Sequence, residues 1–190
     1  AQALGASLGN QHCGSFGKAA IFSFNNNKIV TGNGGGAVLT NDEWLAAKAH
    51  QLATTARTNH PWRVEHDAIG YNYRMGALNG ALACAQLERL PVFLAAKKAL
   101  LARYEEALAS FDDVALLKPT EPWHGEPNNW LISLVLKRPG DRTADREALL
   151  KELNDQGIYA RSLYTPLHQL PHYADCPRDD LRSAENTFSR

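Results

Sequence analysis

A glycine-rich run just behind a lysine constrains this chain more than any other stretch. Residues 32–36 read Gly32-Asn33-Gly34-Gly35-Gly36, and Lys28 precedes them after Asn25-Asn26-Asn27. Upstream, residues 19–24 (Ala-Ala-Ile-Phe-Ser-Phe) have the length and apolar character of a short strand, and residues 36–40 (Gly-Ala-Val-Leu-Thr) have the same. Glycine bends the backbone where a Cβ would clash, so the segment between the two strands is predicted to be a sharply turned loop.

Three chemical readings compete for that loop. A phosphate-binding P-loop needs Gly-Lys-Ser/Thr after its glycines, and here the lysine comes first. A dinucleotide fingerprint fails too, because Gly32-Asn33-Gly34 lacks a correctly spaced third glycine and does not open a helix. The third reading makes Lys28 an imine-forming amine, with Ser23, five residues earlier on the incoming strand, placed to meet a cofactor phosphate. Spacing leaves open the plainer alternative of a solvated lysine on a hairpin.

Around this loop the chain alternates helix and strand signals. Asn41-Asp42-Glu43 supplies N-cap chemistry for a helix through about residue 56, and residues 58–68 read as an exposed loop. Residues 77–88 are small and apolar, as suits a closely packed helix, and Pro91 breaks or kinks that helix. A longer amphipathic helix is predicted through about residue 110 as a bridge between two lobes. Beyond it, residues 129–136 are β-prone, residues 144–156 helical, Gly157 a helix stop and residues 158–160 a further strand, together a small α+β lobe.

Composition excludes several partners. With 20 Lys+Arg against 20 Asp+Glu and no basic face, nucleic acid and anionic membranes are set aside, and no apolar run approaches the ~20 residues of a membrane span. Three scattered cysteines make neither a disulfide framework nor a Cys-x-x-Cys motif, which fits a cytoplasmic setting. The histidines show no metal-ligand spacing, so no metal is expected. The chain opens Ala1-Gln2-Ala3-Leu4 without methionine, and is read as beginning inside a longer protein.

The run Ser23 to Gly36 resembles the lysine loop of the DegT/StrS sugar aminotransferases, pyridoxal-phosphate enzymes of fold type I. Three further segments follow that family's order: Gly14-Ser15-Phe16-Gly17, Gly70-Tyr71-Asn72-Tyr73-Arg74-Met75 and Tyr164-Thr165-Pro166-Leu167-His168. Asn27-Lys28-Ile29 with the glycine triplet, together with Cys84-Ala85-Gln86-Leu87-Glu88, is most similar to the branch that aminates C4 of UDP-4-keto-6-deoxy-N-acetylhexosamines in bacillosamine and legionaminic acid pathways.

The resemblance implies an α/β chain: residues 1–90 as the C-terminal part of a cofactor-binding large domain, and residues 91–190 as a linking helix and an incomplete small α+β domain. It implies pyridoxal phosphate as cofactor, with Lys28 the imine lysine and proton carrier, Ser23 on the phosphate, Gln2 on the phenolic oxygen and Asn72 reaching the phosphate of a neighbouring subunit's cofactor in a homodimer. His168 is expected to contact the sugar, with L-glutamate as amino donor. Lys18 stands where the family usually has an acidic residue. The aspartate facing the pyridine nitrogen and much of the parallel sheet fall upstream of Ala1, so these residues alone are expected to lack activity and to expose one face of the strand at 19–24. Amination at C3, another nucleotide sugar, or a binding homologue without catalysis are the rival readings.

Overall fold

The computed structural model describes residues 1–119 and 124–190. In chain order these form β1 (Ser7–Leu8), β2 (Gln11–His12), β3 (Ala20–Ser23), β4 (Gly36–Leu39), α1 (Glu43–Ala53), α2 (Ala77–Leu87), α3 (Leu90–Leu108), β5 (Val114–Leu116), β6 (Leu134–Leu136), α4 (Thr143–Asp155) and α5 (Arg182–Phe188). Short 3-10 turns lie at Leu167–Gln169 and Pro171–Tyr173. The chain divides into two compact units, Ala1–Ala102 with Pro119–Leu131 and Arg103–Lys118 with Ile132–Arg190, and the division falls within α3. Among the described residues no helix is long and apolar enough to cross a membrane.

In the first unit β3 and β4 pair antiparallel, from Ala20 opposite Leu39 to Ser23 opposite Gly36. Every ladder among the described residues is antiparallel and two-stranded. Such a ribbon is marginal unless it packs on something else. Here the packing comes from below the lysine loop, where Phe24, Val30 and Ala83 form a buried cluster with Leu4, Phe22, Leu90 and Phe93 around it. Outward-facing Ile21 and Val38 remain 65% and 55% exposed.

Helix α1 begins where the sequence signal places it. The Asp42 carboxylate accepts a hydrogen bond from the Leu45 N–H at 3.0 Å, which satisfies one of the unpaired donors of the first turn. The chain then turns through positive φ at Thr55 and Ala56, and Gly70 packs so tightly on their backbone that a Cβ there would overlap it. Residues 58–68 form the expected exposed loop, held by a bridge between Arg57 and His66. Helix α2 ends at Leu87 and α3 restarts at Leu90. Pro91 therefore lies in the first turn of α3, where a missing N–H costs nothing, and it separates the two helices without kinking either.

In the second unit β5 and β6 pair antiparallel, and the Arg138 guanidinium bonds both oxygens of Asp113 at 2.8 and 2.9 Å across their ends. Helix α4 stops at Gly157, whose φ is +78°, as the sequence predicts. Two expectations are corrected. Residues 158–160 are not a strand: the Asn154 carboxamide donates to the Ala160 carbonyl at 2.8 Å, and Tyr159 is left in solvent. Of residues 129–136 only Leu134–Leu136 form a strand, because Asn129 takes a φ of +50° and turns the chain away from an extended path.

Candidate active site

Strand β3 delivers its last residue, Ser23, to the start of the lysine loop. The Asn25 N–H donates to the Ser23 hydroxyl oxygen at 3.3 Å, which uses that oxygen as an acceptor and leaves its proton to be donated elsewhere. Lys28 N–H donates to the Asn25 carbonyl at 3.1 Å, closing a turn that lifts the lysine off the strand. Below it, Val30 is buried.

The glycine segment folds back under the same strand. The Phe24 carbonyl accepts from Gly32 N–H at 2.9 Å, Gly34 N–H at 3.0 Å and the Thr31 hydroxyl at 3.2 Å, while Phe24 N–H donates to Gly35 at 3.0 Å. Two side chains of α2 complete the frame: the Gln86 carboxamide oxygen accepts from Thr31 N–H at 2.9 Å, and Asn79 donates to the Gly32 carbonyl at 2.6 Å. The glycine requirement is steric at residue 32, where a Cβ would meet the Asn79 carbonyl at 2.9 Å, and conformational at Gly35, whose φ is +82°.

Ser23, Lys28 and Gln2 line one cleft, with Leu4, Asn128 and Trp130. Lys28 is half-buried, and its Nζ lies 3.7 Å from the centre of the Trp130 ring. The Asn128 carboxamide donates to the carbonyls of Gln2 at 2.7 Å and Leu4 at 2.9 Å, and its oxygen accepts from Trp130 N–H at 3.2 Å. An amine, a hydroxyl proton and an amide set against apolar Leu4, Ile29 and Val30 are groups of the kind that would hold an anionic group and a carbonyl of a cofactor.

The other expected residues lie elsewhere. Asn72 is exposed and bridges Thr54, outside the cleft lining. His168 belongs to the second unit, where its Nε2 lies 2.8 Å from Glu185 Oε1 and its side chain is 12% exposed. Lys18, the competing lysine, is exposed and contributes only a backbone carbonyl, which accepts from the Thr40 hydroxyl. Sequence reasoning missed Asn128 and Trp130. The dipeptide Asn128-Asn129 ahead of a tryptophan is a turn signal inside an apolar run, but nothing in it points back about a hundred residues to Lys28.

The model of the DegT/DnrJ/EryC1/StrS aminotransferase family matches residues 1–190. The chain belongs to this family. Pyridoxal phosphate is the cofactor of the DegT/DnrJ/EryC1/StrS enzymes, and their architecture is the α/β transferase fold type I, of which these residues form part. The chain is 36% identical over 185 residues to GDP-perosamine synthase of Caulobacter vibrioides, covering 97% of this chain and 49% of that protein. It is 28% identical over 192 residues to UDP-4-amino-4,6-dideoxy-N-acetyl-beta-L-altrosamine transaminase of Helicobacter pylori, covering 98% and 49%. Among solved structures, Helicobacter pylori PseC, an aminotransferase involved in the biosynthesis of pseudoaminic acid, superposes with a TM-score of 0.87 at 25% identity, over all of this chain and 51% of that one. The chain thus spans about half the length of the curated relatives it matches.

Proposed function

We propose that the protein containing this chain is a pyridoxal-phosphate-dependent nucleotide-sugar aminotransferase. It transfers the amino group of L-glutamate to the 4-keto carbon of a UDP-4-keto-6-deoxy-N-acetylhexosamine, for glycan precursor synthesis. The observation that carries this reading is the meeting of Lys28, Ser23 and Gln2 at one cleft, from segments that the sequence holds apart. The UDP-linked substrate rests on the resemblance of Asn27-Lys28-Ile29 and Cys84-Ala85-Gln86-Leu87-Glu88 to that branch. A GDP-linked 4-keto sugar is the second reading, favoured by the 36% identity to GDP-perosamine synthase.

When bound, pyridoxal phosphate supplies a carbonyl for an amine and a ring that stores the electrons of a carbanion. Lys28 would hold the cofactor through that carbonyl and, when free, would carry the proton between Cα of the amino donor and C4′ of the cofactor, since a half-buried amine suits both giving and taking it. Ser23 donates its hydroxyl proton to the phosphate. Gln2 holds the phenolic oxygen, and the Asn128 carboxamide fixes its backbone. Residues 1–90 serve as part of the cofactor-binding domain and residues 91–190 as linking helix and small domain. The active form is a cytoplasmic homodimer in which Asn72 reaches the partner's cofactor and His168 borders the sugar.

The test uses the full-length protein. It is incubated with pyridoxal phosphate, reduced with borohydride, and the modified lysine is mapped by mass spectrometry. Label confined to Lys28 is the expected result; label on Lys18 or on no lysine overturns the assignment. Supplying UDP-, GDP- and dTDP-linked 4-keto sugars with glutamate, and measuring 2-oxoglutarate, then selects the substrate.

A further inference from the structure

We propose that the indole face of Trp130 is the resting seat of the Lys28 amine, and that the turn of Asn128, Asn129 and Trp130 is a positioning element for that amine. The proposal rests on Lys28 being the imine lysine. Its Nζ lies 3.7 Å from the ring centre, well within the range over which an ammonium is attracted to an aromatic face.

The seat is built rather than incidental, because the indole is fixed from several sides. Its Nε1–H donates to the Asn27 carbonyl at 2.7 Å, one residue before the lysine itself. Its backbone N–H donates to the Asn128 side chain at 3.2 Å, and its carbonyl accepts from Lys97 Nζ at 3.1 Å. Asn128 in turn holds the backbone of Gln2 and Leu4. Asn129, with φ at +50°, makes the bend that brings these two side chains to the same cleft. The indole is therefore anchored to the residue that precedes the lysine.

Chemistry favours an aromatic seat over a carboxylate. A lysine on a four-carbon stem samples many rotamers, and holding its amine in one place raises its encounter rate with a nearby carbonyl. A carboxylate would hold the amine through an ion pair that must be broken before attack. An aromatic face attracts the charged amine, packs against its stem, and takes no proton from it.

The experiment compares full-length wild type, Trp130→Phe and Trp130→Leu. Each is mixed with pyridoxal phosphate, quenched with borohydride at timed intervals, and its Lys28 label counted by mass spectrometry. The leucine variant is expected to label on the order of tenfold more slowly, and the phenylalanine variant within about threefold of wild type, because it keeps an aromatic face, though a smaller one without the indole N–H. A second readout uses cofactor-free protein: Lys28→Met is expected to change indole emission, and the same substitution in a Trp130→Phe background to leave emission unchanged. Equal labelling rates in all three proteins, a phenylalanine variant as slow as the leucine one, or emission indifferent to Lys28→Met would each overturn the seat. If Trp130→Leu loses its circular dichroism spectrum, the emission comparison decides alone. If wild type takes no label at Lys28, the aminotransferase reading falls, while emission still tests the seat.

Discussion

The side-chain amide of Asn79 donates to the carbonyl of Gly32 at 2.6 Å, so a residue of α2 holds the turn that follows the lysine. The two segments approach so closely that a Cβ on residue 32 would lie 2.9 Å from the Asn79 backbone carbonyl and 3.1 Å from that of Gly34. Neither backbone has a flexible end that could swing aside. Gly32→Ala is expected to cost ~1–3 kcal/mol, as overpacking does. A denaturation midpoint equal to that of wild type would contradict this account of the loop.

Asn128→Asp keeps an oxygen to accept from Trp130 N–H but replaces the two donors that reach Gln2 and Leu4 with an acceptor that repels their carbonyls. The variant is expected to lose ~1–3 kcal/mol and to retain cofactor less well. Thermal melting and cofactor absorbance after gel filtration measure the two effects separately.

Lys28→Ala is expected to abolish borohydride labelling and to lower turnover by at least ~100-fold, the smaller end of what a positioned acid or base contributes. Lys18→Ala is expected to leave both unchanged, since the exposed Lys18 side chain takes no part in the cleft. Turnover of full-length protein with glutamate and the 4-keto sugar separates the two lysines.

His168 is held by Glu185 at 2.8 Å with most of its side chain covered, so His168→Leu is expected to lower the stability of the second unit by about 1 kcal/mol. The sugar-contact role adds a rise in KM for the nucleotide sugar. A variant that melts earlier with unchanged KM would leave His168 a purely structural residue.

Asp141 gives a pH dependence of known sign. Hydrogen bonds from the Thr143 side chain first and its backbone N–H second, against a small opposing effect of burial and with a contribution from the Arg146 charge, hold the Asp141 carboxyl below its ordinary value of 3.8. A group depressed by folding stabilises the fold above that ordinary value and loses its contribution as pH falls through the lowered one. The first turn of α4 is therefore expected to loosen only below about pH 4. Amide chemical shifts of Thr143 should follow this acid step in wild type and lose it in Asp141→Asn.

Local signals in the sequence located most of the elements, and the reason is that those elements are decided locally. Asp42 caps α1 three residues ahead of its donor, Gly157 stops α4 with a positive φ, and the glycines after Lys28 mark the turn that follows it. Asn128 and Trp130 were invisible because their roles depend on partners far away in sequence. The strand expected at 158–160 fails for a local reason: the Asn154 side chain, six residues back, takes the Ala160 carbonyl, and no other strand pairs there among the described residues. Strand β5 escaped notice for a nonlocal reason: Val114–Leu116 is too short to show a period, and its identity is fixed by Leu134–Leu136.

The hydrogen bond from Trp130 to Asn27 spans 103 positions of chain. At translation rates of ~5–20 residues per second, that distance corresponds to roughly 5–20 seconds between the emergence of the two partners from a ribosome. During this interval a nascent chain presents Lys28 with its glycine loop but without the indole or the Asn128 clasp. Until the rest of the cleft is made, its amine lacks the aromatic seat that would aim it at a carbonyl.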